Sequence, residues 1–260
     1  EVFMSTGLER IPALAEAEIR QLFVGPESFT PDNRYILGEA PDLRRLYVAA
    51  GFNSIGIQSA GGAGKALAEW IVEDAPTMDL AELDIRRFHR FERNRAYLFD
   101  RTKESLGLLY AMHWPFRQPE TGRGARRSPF HDRLEARGAC FGVTMGWERP
   151  MWFASEVQPA SYTYGWARTP WFNNWAQEHR ATREAVGLFD MSSFAKFRVE
   201  GPDAEAVLQD LCTCDAAIEP GQVRYTQWLN ANGGIEADLT ISRLNWETYL
   251  VVTGAAVAGR

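Results

Sequence analysis

The chain has 260 residues, with 28 Lys+Arg against 34 Asp+Glu, a formal net charge of -6, 45% hydrophobic residues and 24% charged ones, an ordinary globular composition. The acidic balance argues against a general nucleic-acid binder, which carries a basic surface. No run of about 18 uncharged apolar residues occurs, so no membrane helix is expected. Length sets an expectation of one to two domains. The three cysteines, Cys140, Cys212 and Cys214, are too few and too uneven for a disulfide framework, which points to a reducing compartment. The Cys212-x-Cys214 spacing lacks a second Cys pair or a nearby His, so it is read as two partly buried thiols and no metal is expected.

The chain opens on Glu1-Val2-Phe3 without an initiator Met or signal-peptide pattern, and stops at Gly259-Arg260 just after the apolar run Tyr249 to Val252. It is read as an internal piece of a longer polypeptide.

In chain order, Leu46 to Ala50 is a short apolar run read as a buried strand, and it ends at Gly51. A Gly-rich turn spans Gly51 to Gly64. Lys65 to Val72 then has helical spacing, with Leu67, Trp70 and Ile71 on one face. Strand, Gly-rich turn and helix form a unit in which the backbone can approach a ligand and the helix start favours negative charge. Close helix–strand packing is the competing explanation of the glycines. It is not a P-loop, because Ser59 and Ala66 stand where that motif needs Gly and a hydroxyl. No G-x-G-x-x-G occurs, so any pyrophosphate site would lie upstream of Glu1.

Residues 79–112 carry helical periodicity, enough for two or three helices, with Leu83, Phe88, Phe91 and Tyr97 as core candidates. The isolated His89 and His113 are given structural roles. Pro115 to Ser128 reads as a connector. His131 to Arg137 reads as a helix stopped by Gly138, and the aromatics from Trp147 to Trp175 read as core in preference to a stacking surface for a flat ligand. Trp171 to Val186 is an amphipathic helix with Trp175, His179 and Val186 near one side. Phe194 to Val199 alternates as a strand and Asp203 to Leu211 is a helix. Tyr225 to Leu229 and Ile235 to Leu244 are strands joined through Asn230 to Gly234, and Tyr249 to Thr253 is a third. The fold class is α/β plus α+β with antiparallel pairs.

Several blocks resemble a known family. Asn53 to Ile57 with Ala60 to Lys65 resembles the last flavin-contacting loop of the dimethylglycine and sarcosine dehydrogenases, and Gly25 to Asp32 resembles the motif before it. Gly122-Arg123, Arg126, Ser128-Pro129, His131 to Leu134, Gly138-Ala139 and Gly146 to Pro150 are similar to the family's central domain and the start of its folate domain. Glu178 to Ala181, Arg183 to Met191 and Leu229 to Leu239 resemble the aminomethyltransferase fold of the glycine-cleavage T-protein. The resemblance covers essentially the whole chain. It implies the C-terminal end of an FAD-binding oxidoreductase domain over 1–75, a small helical central domain over 76–130, and the first half of a T-protein-like aminomethyltransferase domain over 131–260.

The resemblance further implies oxidative N-demethylation of a small N-methylated amine with FAD and tetrahydrofolate as cofactors. Electrons would go to an electron-transfer flavoprotein or to oxygen. The location would be the cytoplasm of a bacterium, or the mitochondrial matrix in a eukaryote. Gly51, Phe52, Asn53, Ser54, Ile55, Gly56, Ile57 and Gln58 are the expected flavin-contacting residues, with backbone N–H groups of Ser54, Ile55 and Gly56 facing the pyrimidine end. Asp238 is the expected catalytic carboxylate, since the family's T-protein has two adjacent Asp where this chain has Ala237-Asp238, and Tyr225 is an expected folate contact. A strand-end Asp making a turn hydrogen bond is the alternative for Asp238, and helix packing is the expected role of His179. Glu236 is expected to face solvent opposite Ile235. Two other functions stay open: a non-catalytic relative such as the pyruvate dehydrogenase phosphatase regulatory subunit, and a folate-only aminomethyltransferase, against which the loop at 51–64 argues.

Overall fold

The computed structural model describes residues 2–257, so Glu1 and the terminal Ala258-Gly259-Arg260 lie outside the described residues. After α1 (Val2–Arg10), an antiparallel hairpin pairs β1 (Ile36–Glu39) with β2 (Tyr47–Ala50), Leu37 opposite Ala49. The expected strand is present, but it is half-exposed, with Ala49 open to solvent, because a two-stranded ribbon has one neighbour on one face only.

Helix α2 (Gly56–Glu73) begins at Gly56, not at Lys65. The glycines at 61, 62 and 64 are therefore helical. Each weakens a helix by about 1 kcal/mol against Ala. The burial of Ala63, Ala66 and Trp70 at helical spacing holds the segment in place. A Cβ on Gly61, Gly62 or Gly64 would meet nothing within 4 Å, so close packing against the strand does not explain them. Ile71, expected on one face with Leu67 and Trp70, is exposed. Trp70 packs edge-on to Tyr47 and beside Leu80. A Cβ on Gly38 (φ 121°) would sit 2.8 Å from the Trp70 ring, which makes glycine obligatory there.

The central region has two 3-10 turns, Ile85–Arg87 and Arg90–Arg93, and one α-helix, α3 (Arg95–Leu109), where two or three helices were expected. Asn94 caps α3, its Oδ1 accepting from Ala96 N at 2.9 Å. Leu83, Phe88, Phe91 and Tyr97 are half-buried, not core. Short α4 (His131–Glu135) leads into the antiparallel hairpin of β3 (Ala139–Thr144) and β4 (Trp147–Phe153). Trp152 and Trp171 are fully buried and stack at 5.7 Å beside Cys140, Tyr162 and Trp175, so part of the aromatic stretch is core, while Trp166 and Phe172 are exposed. In α5 (Phe172–Glu184) no residue is fully buried; His179 is exposed instead of packed, and Val186 lies beyond the helix end.

The C-terminal part is one antiparallel sheet in the order β5-β8-β7-β6, from β5 (Ala195–Glu200), β6 (Val223–Leu229), β7 (Ile235–Asn245) and β8 (Thr248–Thr253), with α6 (Ala204–Leu211) after β5. Its inner face buries Leu239, Ile241, Tyr249 and Val251 against Ala204, Leu208, Ala216 and Ile218. Arg243 lies on this face at 5% exposure, and it is fully engaged: it donates to the carbonyls of Ile218 and Trp246 and pairs with Glu205 at 2.6 Å.

Candidate functional site

The loop before α2 is built around Asn53. This residue is 1% exposed and adopts φ 48°, with Ser54 following at φ 64°. Its Oδ1 accepts from Thr30 N at 2.9 Å, and its Nδ2 donates to Gly51 O at 2.6 Å and to Thr30 Oγ1 at 3.1 Å. Asn is among the few non-glycine residues that tolerate this backbone region, and here its amide cross-links two segments of chain. Gly51 (φ 65°) is fixed for a second reason: a Cβ would fall 2.5 Å from Thr30 Cγ2. Phe52 stacks on Tyr35 at 4.9 Å, and the Ser54 hydroxyl donates to Glu27 at 2.6 Å.

These contacts sort the eight expected flavin-contacting residues. The side chains of Asn53, Ser54 and Phe52 are engaged within the protein. The Ile55 N–H donates to Phe52 O at 2.9 Å, so that donor is used inside the loop. Gly56, Ile57 and Gln58 form the first turn of α2, whose N–H groups have no acceptor inside the helix. Ile57 is fully exposed there, and a Cβ on Gly56 would make only ordinary contact with Phe52 at 3.5 Å. The outward end is thus a set of backbone donors on a positive helix terminus, which fits the electron-rich edge of a flavin.

The second set lies on the outer face of the C-terminal sheet. Tyr225 on β6 opposes Thr240, and Asp238 on β7 opposes Gln227, so Tyr225 and Asp238 are diagonal neighbours. The Tyr225 hydroxyl donates to Asp238 Oδ2 at 3.4 Å, and both residues are exposed. Asp238 is not at a strand end; the turn is held by Asn230, whose Oδ1 accepts from the N–H groups of Asn232 and Gly234. Ala237 packs against the apolar cluster on the opposite face. Strand alternation therefore presents only the second position of the Ala237-Asp238 pair outward. Glu236 is exposed as expected, accepting from Asn230 Nδ2 at 2.8 Å, but Ile235 is exposed too. Cys212 and Cys214 are half-buried thiols, and Trp228 Nε1 donates to Cys212 Sγ at 3.3 Å.

Two contacts between these regions carry no signal in composition. Glu148, 4% exposed at the side chain, accepts from Arg123 Nε at 2.9 Å and from Gly124 N at 2.6 Å. Burial alone would raise its carboxyl; the Arg123 and Gly124 donors outweigh it and hold the group below the ordinary range. The Ser128 hydroxyl donates to Asp190, tying the connector to the segment before β5. Arg123, Glu148, Ser128 and Asp190 all lie in the quoted family blocks, which was the only sequence signal for them.

Residues 130–260 match the GCVT N-terminal domain family, residues 73–128 the FAD dependent oxidoreductase central domain, and residues 1–70 the FAD dependent oxidoreductase family. The chain belongs to the FAD-dependent oxidoreductases that carry a GCVT domain. It is 50% identical over 243 residues to 4-methylaminobutanoate oxidase (formaldehyde-forming) of Paenarthrobacter nicotinovorans, covering 94% of this chain and 30% of that protein. It is 37% identical over 289 residues to mitochondrial sarcosine dehydrogenase of Mus musculus (96% and 31%). It is also 37% identical over 258 residues to the mitochondrial pyruvate dehydrogenase phosphatase regulatory subunit of Mus musculus (97% and 29%). The chain spans less than a third of the length of these relatives. Among the described residues no helix is long and apolar enough to cross a membrane.

Proposed function

We propose that these residues serve a flavin-dependent N-demethylating enzyme that oxidises an N-methylated amine and delivers the one-carbon unit to tetrahydrofolate. The observation that carries this reading is the Asn53-locked loop, which leads into the start of α2, where the N–H groups of Gly56, Ile57 and Gln58 have no acceptor inside the helix. The flavin, when bound, supplies the acceptor for the hydride lost from the N-methyl group. The helix start stabilises the negative charge that accompanies that transfer, as an oxyanion hole does. The substrate is left as an iminium, which water converts to amine and formaldehyde unless folate nitrogens capture the carbon.

Asp238 is the group proposed to orient the folate nitrogens and to move a proton during capture, with Tyr225 holding the carboxylate by its hydroxyl. The domain limits of 1–75, 76–130 and 131–260 are part of the proposal, as is location in the cytoplasm or, in a eukaryote, the mitochondrial matrix. The name of the 50% identical oxidase favours dioxygen over a transfer flavoprotein as acceptor. The non-catalytic regulatory reading rests on a relative at 37% identity and is the weaker one.

The test is made on the native full-length protein. It is expected to purify yellow, to release formaldehyde from N-methyl amines, and to release less when tetrahydrofolate is present. Gly56→Val is expected to lower flavin content without unfolding the loop, given the ordinary contact a Cβ makes there. A colourless protein that binds neither ligand overturns the reading.

A further inference from the structure

A cavity of about 170 Å³ opens where the central region meets the start of β5, lined by His89, Arg126, Trp147, Ser193, Phe194 and Ala255. Two of its polar groups lack internal partners. Ser193 is 6% exposed, and its fully shielded Oγ has no hydrogen-bond partner among the described residues. His89 Nε2 is likewise shielded and unpartnered. The Arg126 guanidinium lies 4.4 Å over the Trp147 ring and donates through Nη1 to Met145 O at 3.3 Å; among the described residues it forms no ion pair. Glu92, whose charge acts on the guanidinium, is engaged elsewhere, accepting from His89 N at 2.6 Å and from the Tyr97 hydroxyl at 3.2 Å.

A shielded hydroxyl and a shielded imidazole nitrogen left without partners are uncommon in folded proteins, and two of them lining one cavity beside a guanidinium call for a bound water, an ion or a functional role. We propose that this cavity binds a small carboxylate monoanion of formate to acetate size, held by the Arg126 guanidinium, the Ser193 hydroxyl and His89 Nε2. The guanidinium fork matches a planar carboxylate. Burial first, and then the Arg126 charge, push the His89 imidazole below its ordinary value against the opposing pull of Glu92, which keeps it neutral near pH 7 and leaves Arg126 as the positive charge lining the cavity. One charge suits a monoanion better than phosphate. The volume, several times the share of about 30 Å³ that one water takes in the liquid, has room for a one- or two-carbon acid. The site stands on residues outside the Asn53 loop and the Tyr225–Asp238 pair, so it does not depend on the flavin and folate reading.

The experiment titrates the full chain with formate, acetate and inorganic phosphate at constant ionic strength, following the His89 ring and Trp147 indole resonances. Formate and acetate are expected to give saturable shifts and to raise the His89 pKa. Arg126→Gln is expected to weaken binding roughly tenfold or more, as for loss of a charge-assisted hydrogen bond. Because Arg126 also supports Trp147, Ser193→Ala provides the second arm: it removes only an unpartnered hydroxyl and is expected to shrink the formate-induced rise in thermal midpoint. The proposal is overturned by the absence of a saturable shift, by binding that survives both substitutions unchanged, or by phosphate binding more tightly than formate.

Discussion

The loop before α2 and the outer face of the β6–β7 pair present their chemistry in opposite ways. At the loop, the key side chain faces inward and the functional surface is backbone: Asn53 and Gly51 are committed to Thr30, and the N–H groups opening α2 have no acceptor inside the helix. At the sheet, the backbone is consumed by the ladder and the functional surface is side chain, with Tyr225 and Asp238 standing on an exposed face over a core they do not touch. A backbone site fails when its scaffold fails. A side-chain site can lose its chemistry and keep its fold.

The largest expected effect lies between the two regions. Glu148→Ala strips the Arg123 guanidinium and Gly124 N–H of their shared acceptor and is expected to cost about 3–5 kcal/mol, read as a shift in urea midpoint. A loss under 1 kcal/mol would show that this pair does not join connector and hairpin.

Next is Gly51→Ala, which adds a Cβ at a positive φ against Thr30 and is expected to cost about 3 kcal/mol from strain and overpacking. Asn53→Ala follows at about 2 kcal/mol, since it leaves the shielded Thr30 N–H and Gly51 carbonyl without their partner. Both are expected to lower flavin content and stability together. Flavin content unchanged in a destabilised Asn53→Ala protein would break the comparison, because the loop would then not set the donor geometry.

Asp238→Asn is expected to shift stability by no more than about 0.5 kcal/mol, as for other exposed positions, and yet to restore the full formaldehyde yield in the presence of tetrahydrofolate. A stability loss comparable to Asn53→Ala would recast Asp238 as scaffold.

The smallest effect is one of pH. The Glu148 carboxyl is held low in the fold, so its contribution is present above the unfolded value of about 4.3 and is lost as pH falls from there through the folded value. Acid unfolding of Glu148→Gln is expected to lack that part of the slope.

Much of this was legible in residue pattern. The alternation of β6 to β8 and the Asn230 to Gly234 turn specify an antiparallel sheet, because burying one face forces a period of two. The helix after residue 203 and the strand before Gly51 are equally local, and the family blocks placed the loop and Asp238 in advance. Pattern did not show that α2 starts at Gly56: four glycines in its first nine residues argue for a turn, and only the burial of Ala63, Ala66 and Trp70 against the hairpin outweighs their intrinsic cost. Nor did it show that Asn53 faces inward, that Ala237 faces the core while Asp238 faces out, or that His89, Arg126 and Ser193 line one cavity. Those facts depend on residues tens to a hundred positions apart being brought together, and sequence carries local propensity far more directly than it carries long-range contact.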